Sequence, residues 1–174
     1  QKEWIDELLQ RTAYKNSDVA ICLLDTGVKA AHPLLQQAIN LDHVQAVNSA
    51  WGVGDHQGHG TEMAGIALFN NLKDALVGKT KIEVPQKIES VKILPPTGGN
   101  DPDLYGAITE QAVSLAEIAN PFVHRVICMA VTSPEYNTFD GSPTSWSAAV
   151  DSIISGADDE NMKRLFVVSA GNVY

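Results

Sequence analysis

Apolar runs of strand length, set between polar and glycine-rich stretches, punctuate the chain. Asp18–Asp25 (DVAICLLD), Arg125–Val131 (RVICMAV) and Leu165–Val168 (LFVV) are nearly continuous, while Leu41–Val47 and Glu89–Leu94 are more mixed. Runs without polar alternation predict strands covered on both faces, as in a parallel sheet. Between them the apolar spacing turns helical. Residues 3–11 put Trp4, Ile5, Leu8 and Leu9 on one face, and 34–39 form a short helical stretch after His32-Pro33. Residues 61–72 predict a helix with Thr61 as its cap and Met63, Ile66 and Ala67 inward. Leu104, Ile108, Ala112, Leu115 and Ile118 recur at helical spacing over 104–119, and 146–154 predicts a last helix. No internal repeat is evident. Strands alternating with helices predict an α/β fold: a three-layer arrangement with a mostly parallel sheet of about five strands, flanking helices and right-handed crossovers.

Composition narrows the function classes. With 44% hydrophobic and 19% charged residues, the 174-residue chain has material for a packed core. A net charge of −9 and a pI near 4.8 argue against a nucleic-acid surface, which needs clustered Lys and Arg. No apolar run approaches the roughly 18–20 residues of a membrane helix. Cys22 and Cys128 each lie in an apolar run and are expected as free, buried thiols, which favours the cytoplasm over an oxidising compartment. No charged-then-apolar run follows Gln1, so no targeting signal is expected within these residues. The acidic patch Asp158-Asp159-Glu160 is expected to be a solvated turn, and the three tryptophans are expected to pack.

In sheets of this class, functional groups gather beyond the carboxyl ends of the strands. Three segments meet that condition: Asp25-Thr26-Gly27, Gly58-His59-Gly60-Thr61 and Ala170-Gly171-Asn172. A carboxylate at the end of a buried strand is costly unless a donor meets it. A histidine between two glycines at a helix start is a candidate general base. An Asn after a strand offers a fixed amide donor. An Asp that orients a His, with an Asn to stabilise an oxyanion, is the acyl-transfer set short of its nucleophile.

At these residues the chain resembles the subtilisin-like serine proteases, the subtilases. The resemblance rests on DTGV (25–28) with HP (32–33), HGTEMAG (59–65) and VVSAGN (167–172), in that family's order, with VKIL (91–94) and VICMAV (126–131) as matching strands. It covers nearly the whole chain and implies a subtilisin-like α/β sheet and a serine endopeptidase without a cofactor. It implies that Asp25 orients the base, His59 is the base and Asn172 donates to the oxyanion. It also implies that substrate adds as a strand along Val131, Thr132 and Ser133, with Ser169, Ala170 and Gly171 walling the pocket. One position and one segment depart from the family pattern: Glu62 replaces a second His, and Ala130-Val131-Thr132-Ser133 replaces Ser-Leu-Gly-Gly. The Gly-Thr-Ser nucleophile motif is absent, so residues 1–174 are expected to be the N-terminal portion of a peptidase domain, inactive alone. The expected partners are a peptide or protein substrate, the C-terminal part of the domain and a second copy through an apolar final strand.

Other readings compete. Pro143-Thr144-Ser145 faintly echoes the serine motif, but Ser145 is expected to cap the following helix. Leu23-Leu24-Asp25-Thr26-Gly27 also resembles the retropepsin signature, which would need an all-β fold and paired aspartates. Asp55, His56, His59 and Glu62 have spacings compatible with zinc. An inactive half-domain acting in protein interaction shares the fold and differs only in activity.

Overall fold

The computed structural model describes residues 2–133, 141–156 and 164–171. Five parallel strands form the main sheet: β2 (Val19–Asp25), β3 (Ile39–Ala46), β5 (Lys87–Lys92), β6 (His124–Met129) and β7 (Leu165–Val168), in the order β3-β5-β2-β6-β7. The fold class is the predicted one, α/β with helices on both faces of a mostly parallel sheet. The continuous apolar character of β2 is explained by its central place. Leu23 points to one face, with Ile88, Ala64, Leu68 and Phe69. Cys22 and Leu24 point to the other, with Val91, Ile127, Ala112 and Val113. Period-2 alternation thus splits one hydrophobic run between two cores. Cys128 packs on the face opposite Cys22, so the two thiols do not face each other, and both are free. Burial pushes both thiol pKa values up.

The helices are α1 (Lys2–Gln10), α2 (His59–Phe69), α3 (Leu72–Val77), α4 (Tyr105–Ala119) and α5 (Ser145–Ser155). Several expectations need correction. The stretch expected to be helical over 34–39 is a chain of turns over 34–38 that runs into β3 at Ile39, with Leu35 N–H and Gln36 N–H both donating to His32 O, and it delivers Leu34, Leu35 and Ala38 to the core. The helix expected over 61–72 breaks in two. Asn70 takes a left-handed φ of 57°, and the Asn71 side chain accepts from the Lys73 and Asp74 amides to start α3. Thr61 is not a cap: Gly58 holds that position, and Thr61 turns its hydroxyl to Asp55. Ile66, expected inward, is 54% exposed. Ser145 does not cap α5 either, because Thr144 does so through a reciprocal capping box with Ser147.

The buried face of α4 is rotated from the predicted stripe. Leu104 and Ile118 are exposed, and Gly106, Thr109, Ala112, Val113 and Ala116 face inward. Close approach to α5 selects the small residues, since a Cβ on Gly106 would stand 3.0 Å from the Ala149 Cβ. Trp146 of α5 donates from Nε1 to Thr109 Oγ1 at 3.0 Å, whereas Trp4 of α1 is exposed. A small second sheet was missed: β1 (Thr12–Tyr14) pairs in parallel with β4 (Ile82–Val84), each too short to carry a pattern. Asp158–Glu160 lie outside the described residues.

Candidate active site

β2 delivers Asp25 to the carboxyl edge of the sheet, and α2 begins with His59 directly over it. Two glycines permit this approach. A Cβ on Gly60 would stand 2.1 Å from Gly27 O and 3.3 Å from the Asp25 Cβ. Gly27 has a φ of +99°, and a Cβ there would strike Val53 O at 2.6 Å. The start of α2, the turn after β2 and the 53–54 loop are therefore in backbone contact.

The chemistry follows from the contact so formed. His59 Nδ1 stands 2.8 Å from Asp25 Oδ1 and 2.9 Å from Oδ2. Asp25 is 2% exposed, while the His59 side chain is 48% exposed. A buried carboxylate on Nδ1 assigns the proton to that nitrogen and leaves Nε2 as the acceptor. The Thr26 amide also donates to Asp25 Oδ1 at 2.7 Å.

A second carboxylate organises the loop that carries His59. Asp55 is buried, and both its oxygens accept hydrogen bonds from Thr26, Gln57, Gly58 and Thr61. Burial opposes its ionisation, but the bonds from Thr61, Gly58 and Thr26 outweigh it and hold the group at about 2. Beside it Lys92, the sheet partner of Asp25, is buried and donates to Gly54 O at 2.8 Å. Burial lowers the Lys92 pKa, and the Asp55 charge opposes that. Sequence reasoning passed over Lys92 and weighed Asp55 only as a zinc ligand. The amides of Gln57 and Gly58, two and three residues on from an Asp, are the local signal it could have used.

These commitments remove the basis of the zinc reading. The Asp55 oxygens are taken, His56 and Glu62 are exposed, and among the described residues no three His, Cys, Asp or Glu side chains converge as a metal site requires. The retropepsin reading fails on the parallel sheet with its flanking helices.

The predicted pocket segments that the structure describes lie at the same edge. The register Leu23↔Cys128 sets the chain after β6 beside the chain after β2. Val131, Thr132 and Ser133 follow there, and the Ser169 amide donates to Met129 O at 3.2 Å. Gly171 lies against Thr132: a Cβ on it would meet Thr132 Cγ2 at 3.4 Å. Val131–Ser133 separate two apolar hollows. One, about 250 Å³, is lined by Ile93, Leu94, Tyr105, Ile108 and Trp146, and the other, about 310 Å³, by Met129, Val150, Val168 and Ser169. Asn172 lies outside the described residues. Among the described residues the His59 ring bonds to Asp25 and to no serine.

A family model described as the subtilase family, peptidase S8, matches residues 16–174. The chain belongs to the subtilase family. It is thus of serine-protease type, with peptides or proteins as its substrate class. The match begins after α1 and β1. It spans the strand, turn and helix that bring Asp25 and His59 together, and both pocket-lining segments of the subtilase.

Proposed function

We propose that the protein is a serine endopeptidase in which His59 is the general base and Asp25 its orienting acid. The observation that carries this reading is the double approach of His59 Nδ1 to the buried Asp25 carboxylate, with the ring half open to solvent. In this mechanism a serine hydroxyl gives its proton to Nε2 and attacks the scissile carbonyl. His59 then hands that proton to the leaving amine, and Asp25 stabilises the imidazolium between the two steps. The Asn172 side-chain amide donates to the oxygen that becomes negative in the tetrahedral intermediate. Substrate extends along Val131, Thr132 and Ser133 as an added strand, with its side chains in the two flanking hollows and Ser169–Gly171 closing one of them.

The nucleophile in this proposal comes from chain outside residues 1–174, and these residues alone are inactive. Two observations support that. His59 has no serine bonded to it among the described residues, and β7 is the outermost strand among them on its side of the sheet, with Leu165, Val167 and Val168 about half exposed or more. An apolar edge of that kind suits pairing with the remainder of a catalytic domain or with a second copy.

The test is hydrolysis of an unstructured protein substrate by the intact protein and by His59→Ala. Loss of the base is expected to lower kcat by about 10²–10⁴-fold. Hydrolysis at the parental rate in the variant contradicts the assignment.

A further inference from the structure

One carboxylate ties together the two loops that carry the catalytic pair. Asp55 Oδ1 accepts from the Thr26 hydroxyl at 2.9 Å, the Gln57 amide at 3.0 Å and the Gly58 amide at 2.7 Å. Its Oδ2 accepts from the Thr61 amide at 2.9 Å and the Thr61 hydroxyl at 2.6 Å. Thr26 follows Asp25 in the chain, and its hydroxyl accepts in turn from the amide of Gly60, which follows His59, at 3.0 Å. The Thr61 hydroxyl accepts from the Lys29 amide at 3.1 Å. The immediate neighbours of both Asp25 and His59 thus hang from Asp55 through Thr26 Oγ1.

We propose that Asp55, acting through Thr26 and Thr61, is the positioning residue that holds His59 in register with Asp25. This rests on the hydrolytic reading of the pair and extends it to residues that touch neither substrate nor reacting atoms. The donor inventory explains why a carboxylate stands here. Every group facing Asp55 donates, and three of them are backbone amides that cannot reverse. Asparagine in either orientation sets its own N–H against a backbone N–H, and alanine leaves all the donors unmet. The linkage also explains why the loop fixes a distance. Any shift of the 55–61 segment relative to the 25–29 turn stretches bonds on both sides of one buried group, so His59 cannot drift from Asp25 while the network is whole. The buried Lys92, bonded to the carbonyl of Gly54, holds the residue just before Asp55 from the sheet side.

The test compares the intact protein with Asp55→Ala, Thr26→Val and Thr26→Ser by kinetics and by proton NMR. A misplacement of about 1 Å can cost on the order of 10²-fold in rate. Asp55→Ala and Thr26→Val are therefore expected to lower kcat by that order, to leave KM within about twofold, and to lose the low-field His59 Nδ1–H resonance through fast exchange. Thr26→Ser keeps the hydroxyl and is expected to retain both properties. Dispersion of the sheet amides reports that the fold persists. Should Asp55→Ala not fold, Thr26→Val decides, because it leaves the other hydrogen bonds to Asp55 in place. A parental kcat and a parental Nδ1–H signal in Thr26→Val overturn the proposal. If the parent protein cleaves no peptide, the hydrolytic reading has failed. The NMR comparison then decides the positioning role by itself: loss of the signal supports it and retention overturns it.

Discussion

At the scale of the residue, the site depends on one missing methyl group. Gly60 lies in the first turn of α2, and the Gly27 carbonyl fills the space that a side chain on it would need. Alanine is the better helix former by roughly 1 kcal/mol. Here its Cβ would stand 2.1 Å from Gly27 O, and backbone cannot yield as a flexible side chain can. Gly60→Ala is therefore expected to destabilise the protein by about 1–3 kcal/mol despite its helix propensity. It should also push His59 away from Asp25 and reduce peptide hydrolysis; thermal melting and an activity assay check the two effects. That Asp25 and His59 belong to one site was legible in the sequence, because a buried run that ends in Asp-Thr-Gly and a His between glycines are local patterns, and the structure brings the two into contact. The role of Asp55 was not legible. Its partners Thr26 and Thr61 come from both sides of it, and Thr26 is 29 residues away. Spacing alone cannot tell an oxygen that accepts amides from one that awaits a metal.

At the scale of the element, apolar runs located the five sheet strands, most clearly the central β2, which is buried on both faces and shows it in composition; β7, expected to be covered in the same way, is largely exposed. The helices were located but not correctly oriented. The inner face of α4 is chosen by small residues against α5, so the larger Leu104 and Ile118 stay outside. The Asn70-Asn71 pair ends one helix and starts another through backbone conformation and a cap, neither of which disturbs the hydrophobic spacing. Beneath α4, Glu89 of β5 meets Arg125 of β6 at 2.6 Å, both nearly inaccessible, and Arg125 also donates to the carbonyls of Ala116 and Asn120. This ion pair spans β2 and ties the end of α4 to the sheet. Removing one partner leaves the other charged and buried. Arg125→Met is therefore expected to cost about 3–5 kcal/mol in urea unfolding. Glu89→Gln on the Arg125→Met background should recover part of that loss, since the uncompensated charge is then gone.

At the scale of the molecule, the sheet has a chemical end and a structural end. Asp25 ends β2; His59, Thr132 and Ser169 lie past the carboxyl ends of strands, and the Glu89–Arg125 pair lies within the sheet away from them. The order of strands produces this division: β2 is central, so the turns after it and after β6 are neighbours, and the crossover after β3 returns α2 over the same edge. Family membership over residues 16–174 agrees with that geometry. The most direct measurement of the central claim is covalent labelling by a fluorophosphonate probe, which reacts with a serine only when a base activates it. The account predicts labelling of the intact protein, none in His59→Ala, and none in residues 1–174 by themselves. Equal labelling of the parent and His59→Ala, or labelling within residues 1–174 alone, would contradict it.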